Sequence, residues 1–429
     1  GYVGLSNAVV AASYLYNVIA YDVDKEKVAL LKQGVATIEE PNIQELLTES
    51  RSRIRFLSNP KDAIRPSRII VIAVDTPENK DGSPNLKHVY EVLDNIARFA
   101  IQDTYIVMRS TVPVGTCRLV KAYLEERNEH HFDVISMPEF LRQGSAIHDI
   151  ISPSRLIFGA DSDAARMLIK SFASPFAQRK IPVMITSLEN AEMIKYASNN
   201  FLAMKISYIN NIARLCDVVG ADVEKVALGI SLDPRIGSSC LQPGIGYGGS
   251  CLPKDTQGLY WLSGNTSEPL ELVKATIKVN ETQADYFLNK IFSRVKSVNN
   301  MNIAVLGVGF KGGTEDVRNS PATPIIKALL EKNANIKIYD PLAMDNYQKA
   351  MSRHTHITYY LYAHEALKGA SMCLILNDSE EFKKLTSDDF IKNMKRPLVF
   401  DGRNIFKLDA LPGVEYHSVG RKTVGKLEK

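Results

Sequence analysis

The chain has 429 residues, of which 45% are hydrophobic and 23% charged, with a formal net charge of +4. These proportions exclude a disordered, collagen-like or coiled-coil chain, the length suits two or three domains, and the basic excess suits a small anionic ligand better than nucleic acid. Five widely spread cysteines do not form a disulfide framework, and no apolar run approaches the roughly 18 residues of a bilayer span, so a reduced, cytoplasmic protein without membrane association is expected.

The sequence opens Gly1-Tyr2-Val3-Gly4-Leu5, and residues 7–12 read as the start of a helix. Residues 18–21 then read as a strand closed by Asp22. This is the second part of a βαβ unit without its first strand. In the fingerprint G-x-G-x-x-G followed by an acid, Gly1 and Gly4 stand as the second and third glycines and Asp22 as the ribose-binding acid. Several residues, and any signal peptide, are therefore expected upstream of Gly1.

Further strands are predicted at 68–74, 105–109, 134–136 and 156–159, between longer amphipathic stretches. This is the pattern of a doubly wound parallel sheet. From 187 to about 219 the apolar period changes to 3.6, with Met193, Tyr196, Phe201, Met204 and Ile209 in step, and Gly220 ends it. The spacing predicts one long helix, suited to an interdomain strut or a dimer surface. Residues 233–254 are rich in Gly and Pro and read as a loop; a second helical stretch runs to about 295. At Met301 a strand restarts, followed by Gly307-Val308-Gly309-Phe310-Lys311-Gly312 and a strand ending in Asp340. Further strands are expected at 373–376 and 398–400. The fold class is α/β: two Rossmann-like doubly wound parallel-sheet domains, at 1–186 and 299–429, joined by a central helical segment at 187–298. Two glycine motifs in the same frame argue for two nucleotide sites; a turn that only allows close helix–sheet packing is the alternative for the second.

The segment Gly244-Ile245-Gly246-Tyr247-Gly248-Gly249-Ser250-Cys251-Leu252-Pro253-Lys254-Asp255 carries the strongest chemical signal. Its glycines would let a backbone approach a ligand, and a thiol in such polar surroundings can serve as a nucleophile. Cys117, Cys216 and Cys373 lie in apolar or helical contexts, and Cys240 lacks flanking glycines; all four read as structural. In the long helix, Lys195 and Asn199 are four apart and share a face. Together they could stabilise an oxyanion, whereas a solvated face with a Glu192–Lys195 pair is the alternative and the commoner outcome of such spacing. Thr76, Ser110, Thr111 and Glu139 each follow a predicted strand, where open α/β sheets bind ligands; turn chemistry is the alternative. No His or Cys pair has metal-ligand spacing, and no metal is expected.

On these residues the chain resembles the UDP-glucose/GDP-mannose dehydrogenase family nearly end to end. The motifs are Gly1–Leu5, Ser110-Thr111-Val112-Pro113-Val114-Gly115-Thr116, Pro138-Glu139-Phe140-Leu141-Arg142, Gly248–Asp255, and Gly309-Phe310-Lys311 with Thr314, Asp316, Arg318, Ser320 and Pro321. Asp233-Pro234-Arg235-Ile236-Gly237 most resembles the members that act on UDP-glucose. The resemblance implies a four-electron oxidation of the sugar C6 alcohol with NAD, through a thiohemiacetal and a thioester on Cys251. It further implies that Lys195 and Asn199 stabilise the oxyanion, with Lys195 a candidate proton acceptor. Asp255 and Thr111 would position water, and Glu139 would be the base for thioester hydrolysis. NAD would be held by Gly1, Val3, Gly4, Asp22, Lys27, Thr76, Ser110, Thr111 and Arg318. The nucleotide sugar would meet Leu141, Arg142, Tyr247, Gly248, Lys311 and Arg403, with Arg235 supplied by the partner in a homodimer.

Two departures stand out. The first fingerprint glycine and its strand are absent. Gln143 stands where the family usually has Glu; an amide hydrogen-bonds but cannot ionise, so no acid–base role falls there. Rival readings are the same chemistry on GDP-mannose or an N-acetylhexosamine nucleotide, a non-catalytic nucleotide-sugar sensor, and a one-step hydroxyacid dehydrogenase, in which an obligatory thiol has no purpose.

Overall fold

The computed structural model describes residues 1–425. They divide into two compact units: residues 1–198 with 257–267, and residues 199–256 with 268 onward. The dividing line passes within two helices, Leu188–Val219 and Leu252–Gly264.

The first unit carries β1 (Val18–Tyr21), β2 (Ile54–Leu57), β3 (Ile69–Ile72), β4 (Thr104–Met108), β5 (Phe132–Ser136), β6 (Leu156–Ala160) and β7 (Val183–Thr186). β1 and β2 pair in parallel as a separate two-stranded sheet, and the other five lie in sequence order. Four of the expected strands fall in this five-stranded sheet. The expectation of a wholly parallel sheet needs correcting at one step, because β6 runs antiparallel to β5. All five residues of β6 are buried, and a run apolar on both faces reads the same in either direction. β2 and β7 were not predicted; both are only four residues long, too short for a period of two to stand out. β1 and β3 are not paired with each other, and Ile69 and Val71 of β3 are about half exposed.

The second unit carries β8 (Asn302–Leu306), β9 (Asn335–Tyr339), β10 (Ile357–Tyr359), β11 (Met372–Ile375), β12 (Leu398–Asp401) and β13 (Glu415–Ser418). Their order is β10-β9-β8-β11-β12-β13, with every pair parallel. Renumbered from one, that is 3-2-1-4-5-6, the dinucleotide-fold order with its switch point between β8 and β11. Ile303, Val305, Ile338, Leu374 and Phe400 are buried in a single core with the helices Gln283–Arg294 and Ala322–Leu330. Helices on both sheet faces explain why these strands are continuous apolar runs.

The helix predicted from residue 187 runs unbroken from Leu188 to Val219. Gly220, at φ +78, ends it, and its N–H bonds the Cys216 carbonyl, a left-handed terminus that glycine adopts without strain. The helical stretch expected to residue 295 is three helices: Leu252–Gly264, Glu271–Glu281 and Gln283–Arg294. Pro269 lies in the first break, where it cannot continue a helix. No described helix is long and apolar enough to cross a membrane.

Candidate active site

In the first unit the segment after β5 presents Glu139. Its carboxylate accepts from the Leu141 N–H at 2.6 Å and from Lys195 Nζ at 3.0 Å, while the same ammonium donates to the Glu139 carbonyl at 2.6 Å. Both residues are buried, at 6% and 3% exposure. Burial pushes the Glu139 carboxyl up, but Lys195, the Leu141 amide and Arg109 together outweigh it and hold the group below its ordinary range.

The solvated-face alternative for the long helix is excluded, because Glu192, Lys195 and Asn199 are all buried. Glu192 does not pair with Lys195. Its carboxylate accepts from the Gly115 N–H at 2.6 Å and the Cys117 N–H at 2.7 Å. It thereby caps the helix Thr116–Glu125, whose first amides have no other acceptor within that helix. Burial raises both the Glu192 carboxyl and the neighbouring Cys117 thiol, which suits Cys117 as a structural residue.

The strand-end hydroxyls are engaged within the chain. Ser110 Oγ bridges the N–H and carbonyl of Val74 at 2.9 and 2.7 Å, and Thr76 Oγ1 donates to the Thr111 carbonyl at 2.7 Å. They tie the loop after β3 to the loop after β4 across 35 and 36 residues of chain, which local turn chemistry does not do. Thr111 is itself buried. Leu141 is half-buried, and Arg142 is largely exposed and paired with Asp149 at 2.7 Å. Gln143 is half-buried, and the next amide, Gly144 N–H, donates to Glu40 at 2.9 Å. The Glu40 carboxylate also accepts from the Tyr2 hydroxyl. It thus joins the opening glycine turn to the segment of Glu139, a link no local pattern announces.

In the second unit Cys251 is half-buried at the residue before the helix Leu252–Gly264. One turn on, Asp255 is 1% exposed and its N–H bonds the Cys251 carbonyl at 3.0 Å. The Asp255 carboxylate accepts from Asn199 Nδ2 at 2.5 Å and Lys254 Nζ at 2.6 Å, and the Asp255 carbonyl accepts from Asn200 Nδ2 at 3.1 Å. Three of the predicted residues, Cys251, Asp255 and Asn199, are therefore brought together, with the unpredicted Asn200 beside them.

The glycines of the cysteine loop allow close packing against the chain itself. A Cβ on Gly248 would lie 2.2 Å from the Asn319 carbonyl oxygen, and one on Gly249 would lie 2.9 Å from the Phe310 ring. One on Gly244 would lie 2.9 Å from the Gly402 carbonyl oxygen. The loop is packed against its own chain. Asn210 accepts from the Gly244 N–H at 2.7 Å, Gln283 donates to the Gly244 carbonyl at 2.6 Å, and Asn280 accepts from the Tyr247 N–H at 2.8 Å. Tyr247 is buried.

Arg403 belongs to the same clamp. It donates to the carbonyls of Leu376, Gly246 and Phe310 at 3.2, 3.0 and 2.9 Å. Lys311 lies 5.7 Å from the Phe310 ring, and Arg318 pairs with Asp316 at 2.8 Å. Arg235 is exposed and pairs with Asp233 at 2.5 Å.

The second glycine turn is closed from within. Asp340 accepts from the Val308 and Gly309 N–H groups at 2.8 and 3.0 Å and from Asn377 at 2.9 Å. Its other oxygen accepts from Leu342 and Ala343. The Val308 and Gly309 amides of that turn thus already have an acceptor in Asp340.

These features meet three family descriptions. The NAD binding domain of the UDP-glucose/GDP-mannose dehydrogenase family matches residues 1–177, the central domain 189–282, and the UDP binding domain 304–408. The chain belongs to the UDP-glucose/GDP-mannose dehydrogenase family. It is similar to UDP-glucose 6-dehydrogenase TuaD of Bacillus subtilis, at 41% identity over 99% of this chain and 92% of that protein. The corresponding figures for the UDP-glucose 6-dehydrogenase of Rhizobium meliloti are 39%, 98% and 98%. Among solved structures, a UDP-glucose dehydrogenase from Pyrobaculum islandicum superposes with TM-score 0.91 at 31% identity, covering 98% of this chain and 96% of that one. A UDP-D-ManNAc dehydrogenase from Pyrococcus horikoshii gives 0.87 at 27% identity, covering 98% and 97%.

As a member of this family the chain is an NAD-dependent nucleotide-sugar dehydrogenase. The first unit fits the cofactor. The helix Tyr2–Ser13 has no acid in its first turn, and a Cβ on Gly4 would lie 3.7 Å from the Ala73 Cβ. A helix start free of acids suits a pyrophosphate. Asp22, at the end of β1, is partly exposed. Lys27 lies in the next helix, exposed and 3.5 Å from Asp24.

Proposed function

We propose that this dehydrogenase oxidises UDP-glucose to UDP-glucuronate in two successive two-electron steps, with Cys251 as the covalent nucleophile. The observation that carries the reading is the buried Asn199–Asp255 bond one helical turn from the thiol. A thiol at a helix start lies near the positive end of the helix dipole, which favours the thiolate that the chemistry needs.

Bound NAD supplies the acceptor for the two hydrides that leave C6. In the first step the C6 hydroxyl loses its proton and C6 its hydride, leaving an aldehyde; Lys195 can accept that proton only in its neutral amine form. The Cys251 thiolate adds to that carbon, forming the C–S bond of a thiohemiacetal. Lys195 and Asn199 stabilise the negative oxygen as it develops. The second oxidation leaves a thioester. Water, oriented by Asp255 and Thr111, attacks the carbonyl; the C–S bond breaks and the thiolate departs. Glu139, held ionised, can take the proton of that water. The pairing that ionises it also lowers its basicity, so its help belongs toward the lower end of the usual 10²–10⁴ range. One water is consumed and two hydrides leave per sugar.

Gly1, Val3, Gly4, Asp22, Lys27, Thr76, Ser110, Thr111 and Arg318 are assigned to NAD, the hydroxyl-bearing residues through their backbone where the hydroxyl is engaged. Lys311 is the foremost charge for the UDP phosphates, since the turn beside it is closed by Asp340; Arg403 shapes the loop of Tyr247 and Gly248. Leu141, Arg142 and Arg235 complete the assignment, with Arg235 supplied by the partner of a homodimer. Phe201, Tyr208 and Leu215 recur every seventh residue on the long helix, each exposed by more than half. That apolar stripe supports self-association.

The decisive measurement is NADH formed per sugar consumed. A ratio of two with UDP-glucose is expected, and a ratio of one rules out the thioester route. Faster turnover with UDP-N-acetylmannosamine or GDP-mannose would reassign the substrate and keep the chemistry.

A further inference from the structure

The loop after β4 carries a positive charge into the interior of the first unit. Arg109 is 6% exposed, and its Nη1 donates to two consecutive carbonyls, Met137 at 3.1 Å and Pro138 at 3.0 Å. Its Nε is buried with no hydrogen-bond partner among the described residues. The next residue in that second segment is Glu139, whose carbonyl and carboxylate both meet the Lys195 ammonium. One carboxylate is thus set among two cations away from water.

A guanidinium is a poor choice for packing alone. Burial lowers its affinity for a proton to about 10 on the pKa scale, against the pull of Glu139, and a buried donor is left unmatched. An apolar side chain of similar volume would avoid both penalties. Two features remain that only this side chain supplies: a fork that grips neighbouring carbonyls, and a fixed charge. The other cation against Glu139 is Lys195 from the long helix; Arg155 stacks instead on the adjacent Phe140 ring at 4.0 Å.

We propose that Arg109 is a positioning residue for the Lys195–Glu139 pair, clamping the chain entering Glu139 and keeping the cluster cationic. The inference rests on the reading that this pair serves the dehydrogenase reaction. Rotation of residues 137–139 would break both Lys195 bonds at once, so the clamp decides where the ammonium sits. The second cation also keeps Glu139 from neutralising Lys195 by itself, leaving positive charge for a developing oxyanion.

The test compares wild type, Arg109→Lys, Arg109→Met and Glu139→Gln. With UDP-glucose and NAD, Arg109→Met is expected to move the acid limb of the kcat/KM–pH profile up by about one unit, since a nearby cation typically lowers a carboxyl by one or more. Arg109→Lys keeps the charge and loses the fork. Its acid limb should stay near wild type, while kcat falls by about tenfold with KM for UDP-glucose little changed, the signature of misplacement rather than lost binding. Without cofactor, acid unfolding followed by circular dichroism should move to higher pH in Arg109→Met and not in Arg109→Lys. An unmoved acid limb together with unmoved acid unfolding in Arg109→Met overturns the proposal. So does wild-type kcat in Arg109→Lys, which remains decisive if the methionine variant does not fold. The underlying reading fails separately: Glu139→Gln would then retain the wild-type profile, whatever the acid unfolding of the Arg109 variants shows.

Discussion

Cys251 and Glu139 illustrate how differently single residues announce themselves. The thiol is legible because its neighbours in sequence, from Gly248 to Asp255, form one compact motif, and the structure joins it to Asp255 by a single helical turn. Cys251→Ser is expected to stop net turnover to UDP-glucuronate while isothermal titration still shows UDP-glucose binding near the wild-type affinity; normal turnover in that variant would sink the covalent route. Glu139 was legible by position, but its state was not. Its partners Lys195 and Arg109 come from distant parts of the sequence, and nothing local records them. Because its folded-state pKa is depressed, its contribution to stability is fully present above the unfolded value of about 4.3 and is lost as pH falls through the lower folded value. Glu139→Gln should therefore flatten the acid side of the stability–pH curve measured by urea denaturation.

At the scale of elements, the cysteine loop and the long helix depend on contacts that spacing does not reveal. The loop's glycines are obvious in sequence, but the close approach of Asn319, Phe310 and Gly402 to them is not. Gly248→Ala would drive a methyl into the Asn319 carbonyl, at a cost of about 1–3 kcal/mol or more, read as a fall in the denaturation midpoint. The long helix was predicted from its apolar period, but its face was not, because Glu, Lys and Asn at helical spacing normally lie in water. Here Glu192 caps a second helix instead. Glu192→Ala leaves the half-buried Gly115 amide and the buried Cys117 amide without their acceptor. About 1–3 kcal/mol of stability should be lost, with UDP-glucose affinity little changed by titration calorimetry.

For the molecule as a whole, the proposed dimer would draw on the exposed stripe of Phe201, Tyr208 and Leu215. Tyr208→Glu is expected to shift sedimentation velocity from dimer toward monomer. A wild-type protein that sediments as a monomer at micromolar concentration would remove the proposed partner role of Arg235. The second glycine motif makes the same point about scale. Its turn, strands and acid match the dinucleotide pattern, and the six-stranded sheet has the corresponding order. Only the folded chain shows Asp340 occupying the turn amides.

The sequence by itself determined the α/β class, the extent of the long helix, the family and the motif that surrounds Cys251. Each rests on residues close together in the chain, where period, glycine spacing and motif act locally. Strand direction at β6, the burial of Lys195, the charge around Glu139 and the closure of the second turn were decided only by tertiary structure. They depend on groups brought together across long stretches of chain, and neither apolar period nor residue type encodes which distant partner arrives.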